Sequence, residues 1–289
     1  LTLFSRKLTK NGLMILGWGL GLALLGYWMF DIYETMFVTN IDLQQMMAAF
    51  PEEMMAFFGG TDINIFDPEG FLHIEFFSYI PVILGIVAVS GATSLIVKKE
   101  EEGSLELILA QPVSRTTVFW GKLLAHLVTI ILILAITWGG FALGLASTDS
   151  FDLDQEQLIG PFISLFAVLM VFLSLSLMLS MILPTSASAN LVTNFLLIAS
   201  FFITSLAQIE DRLEGLNRFS PLRYYQGGRA LSGLNIEHLL ILLGVSLVFL
   251  LTAWLLFEKR DLRFGGTGWL RVVIRRKGDP APATPSGTS

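Results

Sequence analysis

The feature that most restricts the possible folds of this chain is a series of uncharged apolar runs. Most are close to the roughly 20 residues that a helix needs to cross a bilayer. One run, Leu158 to Ile209, has no charge over 52 residues, which is too long for one crossing and right for two. Pro184 and the small polar residues after it favour a turn that divides this run. The sequence therefore predicts six transmembrane helices, at about residues 11–30, 76–97, 123–147, 159–183, 190–209 and 239–257.

Composition agrees with this interpretation. Apolar residues make up 54% of the chain, charged residues 15%, and the mean hydropathy is +0.70, which is outside the range of soluble domains. The predicted fold class is therefore all-α, a polytopic membrane protein. The chain has no cysteine, so disulfides, thiolate metal sites and cysteine nucleophiles are excluded.

The distribution of basic residues predicts the orientation of the bundle. With both termini inside, the inner segments hold 14 of the 18 basic residues, and the outer segments hold 17 of the 24 acidic ones. Loops 31–75 and 149–157 contain no Lys or Arg. By the positive-inside rule both termini are cytoplasmic. Four arginines of segment 210–237 go against this rule: Arg212, Arg218, Arg223 and Arg229.

The segments outside the spans differ in character. Residues 1–10 contain interspersed apolar and basic residues, a pattern that predicts a short interfacial helix. The apolar content of 210–237 indicates a segment that lies on the membrane or dips into it. Residues 265–277 form a basic segment attracted to anionic lipid, and 278–289, with three prolines, form a disordered tail. The transmembrane domain is predicted to cover 1–264.

The motifs of nucleotide chemistry are missing from the sequence. No G-x-x-x-x-G-K-[ST] and no strand-linked G-x-G-x-x-G occurs, so the chain offers no phosphate-binding loop. The span interiors carry no Asp, Glu, Lys or Arg, which counts against a proton- or sodium-driven carrier. We therefore predict that the chain is not an enzyme, binds no cofactor or metal, and takes its energy from elsewhere.

Histidine and methionine offer only weak candidates for a metal site. The histidines lie near predicted membrane boundaries, where interfacial anchoring is the favoured role: His73, His126 and His238. A methionine cluster in the first outer loop could bind copper(I) through thioethers, but its Ala and Phe neighbours favour packing: Met46, Met47, Met54 and Met55.

Small and polar residues inside the spans have two interpretations. Gly17-x-x-x-Gly21 and Gly140-x-x-x-Gly144, with Ser174, Ser176 and Ser180, fit close helix contacts. Other polar side chains either make such contacts or line a path through the membrane. These candidate path-lining residues are Ser164, Asn190, Thr193, Asn194, Ser200 and Thr204.

The most specific signal is a charged hairpin between the second and third spans, residues 98–115. Leu105, Ile108 and Leu109 have the spacing of one apolar face of a short helix, and Pro112 ends that helix. Ser114 is a plausible N-cap for the next helix. Three consecutive glutamates would be repelled by an anionic inner leaflet, so docking of a soluble partner is favoured over lipid binding.

This hairpin resembles the coupling-loop signature of ABC-2 type transporter permeases, of which the NosY-like permeases are the nearest variety. The matching residues are Glu101-x-Gly103-Ser104-Leu105-Glu106-Leu107-Ile108-Leu109-Ala110-x-Pro112-Val113-Ser114-Arg115, followed by Gly121-Lys122. Supporting stretches are Asp67-Pro68-Glu69-Gly70-Phe71-Leu72, Phe219-Ser220-Pro221-Leu222-Arg223-Tyr224-Tyr225 and Phe257-Glu258-Lys259-Arg260-Asp261-Leu262. The likeness covers about residues 1–264.

The resemblance implies a type V exporter-like architecture with a cytoplasmic coupling helix and outer re-entrant or amphipathic helices. Six helices would form one half of a dimer with a second copy or a homologue, surrounded by lipid. A separate cytoplasmic ABC ATPase, which binds the ATP and Mg²⁺, would dock on the coupling loop. The coupling residues are then Glu101, Glu102, Gly103, Leu105, Glu106, Leu109, Pro112 and Arg115.

Three functions remain open at this point. The first is a permease subunit that exports a substrate across the inner (plasma) membrane of a prokaryote. The second is a NosY-like subunit that transmits ATP turnover to an extracytoplasmic partner without moving a solute. The third is a membrane scaffold or assembly subunit. None of the three involves nucleic acid.

Overall fold

The computed structural model describes residues 2–35, 57, 67–103, 114–148, 151 and 153–259, with side chains described from residue 11 onward. Its α-helices are α1 (Thr2–Tyr33), α2 (Pro68–Leu72), α3 (Ile80–Thr93), α4 (Val97–Glu101), α5 (Arg115–Ala146), α6 (Ile159–Ile182), α7 (Ser186–Leu206), α8 (Glu214–Asn217) and α9 (Ile236–Lys259). A π-helical segment, His73–Phe77, joins α2 to α3. Three 3₁₀ helices lie between α7 and α9: Asp211–Leu213, Pro221–Tyr224 and Gly227–Leu231.

In the part of the chain that the structure describes, six helices are long and apolar enough to cross a membrane, which confirms the predicted number: Asn11–Tyr33, Pro68–Thr93, Arg115–Ala146, Ile159–Ile182, Ser186–Leu206 and Ile236–Lys259. The described residues contain no strand, so the all-α fold class is confirmed as well.

The second crossing differs most from its expected bounds. It begins at Pro68 rather than near residue 76, and its regular helix ends at Thr93 rather than near 97. Proline at the first helical position favours a start at Pro68, but Glu69 and Glu75 lower the hydropathy of the first turns. Hydropathy alone therefore missed the start of this helix.

Local capping fixes two helix starts at one end of the bundle. The Ser114 hydroxyl accepts a hydrogen bond from Thr117 N at 3.2 Å, as the sequence predicts for the start of α5. At the start of α7, Thr185 Oγ1 accepts from Ser188 N at 3.1 Å, and Ser188 Oγ accepts from Thr185 N at 3.3 Å. This reciprocal capping box begins α7 directly after Pro184.

Helix α6 is the centre of the molecule. In the most apolar part of α6, 72% of residues are buried, compared with 28% in α7 and 22% in α9. It packs mainly against α9, α3 and α7. Helices α9, α3 and α7 therefore pack around α6, while α1 packs on α5. Apolar faces point outward, which is the arrangement a lipid environment favours.

Helices α1 and α5 pack tightly through glycines. A Cβ on Gly140 would lie 2.1 Å from the Ala23 carbonyl oxygen, and one on Gly26 would lie 2.2 Å from the Phe141 ring. Such spacing lets the two backbones touch, as small residues do in membrane helix pairs.

The small-residue prediction was right for α5 and wrong for α1. Gly140 and Gly144 both face α1, but no described residue lies within 4 Å of a Cβ built on Gly17 or Gly21. The buried stripe of α1 follows helical spacing and instead includes Ile15, Gly19, Leu22, Gly26 and Met29. Gly17 and Gly21 lie on the exposed side of this stripe.

The bundle has two ends, which we call the hairpin end and the far end. The hairpin end contains the start of α5, the start of α7 and the end of α9. The far end contains the end of α7 and the short helices of 211–231. Near the far end, Phe141 packs its ring against those of Phe76, Phe77 and Phe162, with centroids 4.7, 5.6 and 5.5 Å away.

Candidate functional site

The hairpin end contains the residues that the sequence predicts to couple this chain to a partner. Of these, Glu101, Glu102, Gly103 and Arg115 are described. The remaining predicted coupling residues lie outside the described residues: Leu105, Glu106, Leu109 and Pro112.

A break in the helix leads into this site. After α3 ends, Ser94 Oγ donates to the Gly91 carbonyl at 2.6 Å, and Ile96 takes the non-helical angles φ −124° and ψ −66°. The chain then forms one further turn, α4. Gly103 follows with φ +68°, a left-handed conformation that glycine adopts at little cost. The break and the glycine together set the direction of the chain up to Gly103, the last described residue before Ser114.

Glu101 bonds to the start of α7. Its carboxylate accepts from the Ser186 backbone N–H at 2.7 Å and from the Ser186 hydroxyl at 2.5 Å. The N-terminal N–H groups of a helix lack partners within the helix and favour negative charge, so a carboxylate suits this position. The bond joins two segments that are 85 residues apart in sequence.

The neighbouring coupling residues make more local contacts. Glu102 forms an exposed ion pair with Lys99 on the preceding turn. Arg115 is the first residue of α5, directly after the Ser114 cap.

A second set of contacts joins α5 to α9 at the same end. Thr116 Oγ1 donates to the Glu258 carboxylate and accepts from Trp254 Nε1 at 3.4 Å. The rings of Phe119 and Phe257 lie 5.9 Å apart just below. At this end Glu101 of the hairpin therefore contacts α7, and Thr116, directly after the hairpin, contacts α9.

Two of the candidate path-lining residues lie together between α7 and α3. Asn190 Nδ2 donates to Ser90 Oγ at 3.2 Å, and Asn194 Nδ2 donates to Asn190 Oδ1. The Asn194 Oδ1 atom is closed to water and has no partner among the described residues. Sequence reasoning missed Ser90, since a single serine in an apolar run carries no distinguishing pattern.

The other candidates lie apart from this pair. Ser164 is fully buried in α6, and its hydroxyl accepts from Gln226 N at 3.0 Å. Thr193 is fully buried and donates to Ala189 O within α7 at 2.8 Å. Ser200 is buried, and its carbonyl accepts from Ser220 Oγ at 3.2 Å. Thr204 lies at the far end of α7, where it donates to Asn217 Oδ1 at 3.0 Å.

Thr204 also lines a cavity of about 100 Å³ at the far end. Phe57, Phe201 and Leu222 form its apolar wall. Its polar wall includes His73, Gln208, Arg223, Tyr225 and Arg229. We call this the far-end cavity.

Two histidines have a different role from the predicted interfacial anchoring. His126 is buried in α5, with Nε2 3.0 Å from the Ala88 carbonyl oxygen and Gly91 leaving room for its ring. His73 Nδ1 accepts from Gly228 N at 3.0 Å. Both join separate elements of the bundle, so the anchoring prediction was wrong for them; His238 packs edge-on against Tyr224.

No group of three or more His, Cys, Asp and Glu residues suited to a metal ion occurs among the described residues. The methionine cluster at 46–55 lies outside them.

Comparison with known proteins agrees with the hairpin motif and the helix count. A family model described as ABC-2 family transporter protein matches residues 12–262, which is most of the chain. No curated protein matches the chain. Proteins of this family are the membrane subunits of ABC transporters and work with an ABC ATPase subunit. With six membrane helices and this match, the chain belongs to the ABC-2 transporter family and is a multi-pass permease subunit of an ABC transporter.

Proposed function

We propose that this permease exports a substrate and is driven by a cytoplasmic ATPase that docks on the hairpin end. The observation that carries the proposal is the pair of hydrogen bonds from Ser186 to Glu101. A partner that moves the hairpin would, through this carboxylate, also move the start of α7. The Thr116–Glu258 bond gives a parallel connection to α9.

The docking contact itself uses the apolar face of Leu105, Ile108 and Leu109. Each leucine would contribute about 1.5–3 kcal/mol if fully desolvated in a groove of the ATPase. The glutamates of the hairpin act mainly on the approach and alignment of the ATPase, because charges at the rim of an interface affect association rates more than affinity.

The substrate path runs along the face shared by α3 and α7. Asn190 and Asn194 are half-buried there within the membrane region, beside exposed apolar residues such as Leu191 and Phe195. Amide groups are costly to leave against lipid tails. A second permease, either another copy or a homologue, covers this face and encloses the path.

The proposed orientation in the membrane rests on the distribution of basic residues. The hairpin end carries Lys98 and Lys99, and the segment after α9 is also basic. This distribution supports a cytoplasmic location, in a prokaryote, for both termini and the hairpin, and an outside location for the far end.

The first test is association. We expect the double change Leu105→Asp and Leu109→Asp to prevent co-purification of the ATPase while leaving membrane insertion intact. Leu107→Asp is the control, since it replaces a leucine by aspartate on the opposite side of the predicted short helix. The single changes Leu105→Asp and Leu109→Asp match its charge. Unchanged ATPase binding by the double variant, or equal loss with Leu107→Asp, would reject docking through this face.

The second test asks whether Glu101 acts through α7. Glu101→Ala should reduce permease-stimulated ATP hydrolysis by about fivefold, as expected for exposed charged hydrogen bonds, and Ser186→Ala, which keeps the backbone N–H bond, should reduce it less. The double variant should be no worse than Glu101→Ala alone, because loss of the carboxylate already removes the bond to the Ser186 hydroxyl. Additive losses would mean that Glu101 contacts the ATPase directly.

Substrate-dependent transport separates export from the alternatives. In vesicles containing the permease and its ATPase, export predicts movement of solute coupled to ATP hydrolysis. ATP turnover that instead depends on an extracytoplasmic partner, without solute movement, would favour the transmission function.

A further inference from the structure

A polar patch lies at the hairpin end of the face shared by α3 and α7. It consists of Ser90, Asn190 and Asn194, and we call it the amide patch. Asn190 Nδ2 donates to Ser90 Oγ at 3.2 Å, and Asn194 Nδ2 donates to Asn190 Oδ1. Ser90 is exposed, and both asparagines are half-buried. Because hydroxyl and amide groups have more than one donor or acceptor site, the exposed side of the patch can still bond to a ligand.

The depth of the amide patch is set by the hydrogen bonds between Glu101 and Ser186. These bonds hold the first residue of α7 at the level of the charged hairpin residues. Asn190 and Asn194 are four and eight residues after Ser186, which places them about 6 and 12 Å further along the helix at 1.5 Å per residue. The patch therefore lies just inside the apolar part of the leaflet at the hairpin end.

Deeper in the membrane the same face becomes apolar. Leu197 is fully buried against α3, where a Cβ built on Gly85 would lie 2.6 Å from the Leu197 Cδ2 atom. The outward side of α7 continues as an exposed apolar stripe at helical spacing: Leu191, Phe195, Ile198 and Phe202. The face therefore offers hydrogen bonds at one end and apolar contact over the rest of its length.

The two helices that form this face carry no charge. From Ile80 to Thr93 and from Ser186 to Leu206 the sequence contains no Asp, Glu, Lys, Arg or His. A charged group taken to the depth of the amide patch would lose water without gaining a counter-charge from either helix, which is costly. An uncharged group that carries hydroxyls or amides has a smaller cost, because the patch replaces part of its hydrogen bonding to water.

We propose that this face binds a membrane lipid with an uncharged, hydrogen-bonding head such as a sugar. The head lies at the amide patch, and the apolar chains lie along Phe195 and Phe202. A lipid is favoured over a soluble molecule because the stripe is open on the outside of the bundle, with Phe195 66% and Phe202 49% exposed. The inference rests on the proposed export function, since it names the substrate class of the proposed path.

The test uses the full chain in neutral detergent without any ATPase. Native mass spectrometry would measure binding of glucosyl dioleoylglycerol, dioleoylglycerol and dioleoyl phosphatidylglycerol, which share their acyl chains. We expect the glucosyl lipid to bind about tenfold more tightly than either of the others, and Asn190→Leu to weaken its binding about fivefold. Thr252→Val is the control, because the exposed Thr252 hydroxyl of α9 donates to Val248 O in its own helix. This control should stay within about twofold of the unmodified chain.

A second variant guards against misfolding of Asn190→Leu. Ser90 is exposed on α3, so Ser90→Ala should keep the fold and weaken binding of the glucosyl lipid about threefold. Equal or tighter binding of phosphatidylglycerol, or equal behaviour of Ser90→Ala and Thr252→Val, would overturn the lipid site.

Transport in vesicles separates failure of this inference from failure of the proposed function. If phosphatidylglycerol binds best while the permease and its ATPase still couple solute movement to ATP hydrolysis, the lipid class is wrong and the export function stands. If the glucosyl lipid binds at the amide patch but nothing moves on ATP hydrolysis, the export function is wrong and the patch remains a lipid-binding site.

Discussion

At the residue scale, the absence of a side chain decides how close α1 comes to α5. Gly140 faces the Ala23 backbone, where even one methyl group would overlap with atoms that cannot rotate away. Its neighbour Gly139 faces open space. Of these two adjacent glycines, Gly140 therefore leaves no room for a side chain, whereas Gly139 does.

Gly140→Ala should destabilise the chain, because the two helices must separate to admit the new Cβ. Overpacking of this kind costs about 1–3 kcal/mol, or roughly 5 °C in apparent melting temperature. Gly139→Ala should be neutral or slightly stabilising, since alanine favours helix and meets nothing. Thermal unfolding of both variants in one detergent measures the difference. Equal melting temperatures would contradict the close contact.

Residues that contact near neighbours in the sequence were predictable, and residues that contact distant parts of the chain were not. Ser114 was identified as an N-cap because a cap needs only the next three residues. Glu101 was selected from its motif, but its bond to Ser186, 85 residues away, has no local signature. The same holds for Gly19 and Gly26, whose importance depends on which side of α1 meets α5.

At the element scale, the short helices between α7 and α9 are held against the bundle by a few polar contacts. Gln226 N donates to Ser164 in α6, and Gly228 N donates to His73 before α3. The apolar content of 210–237 predicted a segment at the membrane, and this segment folds back on the helices. Its specific partners were not predictable, because Ser164 was equally compatible with a role in the path.

Ser164→Ala should loosen this segment by leaving the Gln226 N–H without an acceptor, at a cost of about 1–3 kcal/mol. Limited trypsin digestion should then cleave after Arg223 and Arg229 about tenfold faster, as followed by mass spectrometry. Ser174→Ala is the control, because Ser174 is a buried serine of the same helix that bonds only to Val171 O. Equal cleavage rates for the two variants would show that Ser164 does not hold the segment.

At the scale of the whole molecule, the six crossings and their charges define one orientation. The chain has no cysteine, so single cysteines can be introduced without a background. Thr61→Cys and Ser150→Cys should react with an impermeant maleimide in intact cells, because both lie in loops that contain no basic residue. Ser286→Cys should react only after permeabilisation. If Thr61→Cys and Ser150→Cys are protected in intact cells while Ser286→Cys is labelled there, the predicted orientation is wrong and the opposite one holds.

The two interfaces of α5 also differ in what they permit. On the α1 side, Gly140 meets backbone directly, so any sliding of α5 along α1 would drive main chain into main chain. Away from α1, α5 meets Phe76, Phe77 and Phe162 through the Phe141 ring, which also lies against Gly26 of α1. An aromatic ring can move aside by changing its rotamer, whereas backbone atoms cannot. We therefore expect α5 to slide less easily along α1 than along its other neighbours, so that α1 and α5 would move together beside the helices packed around α6.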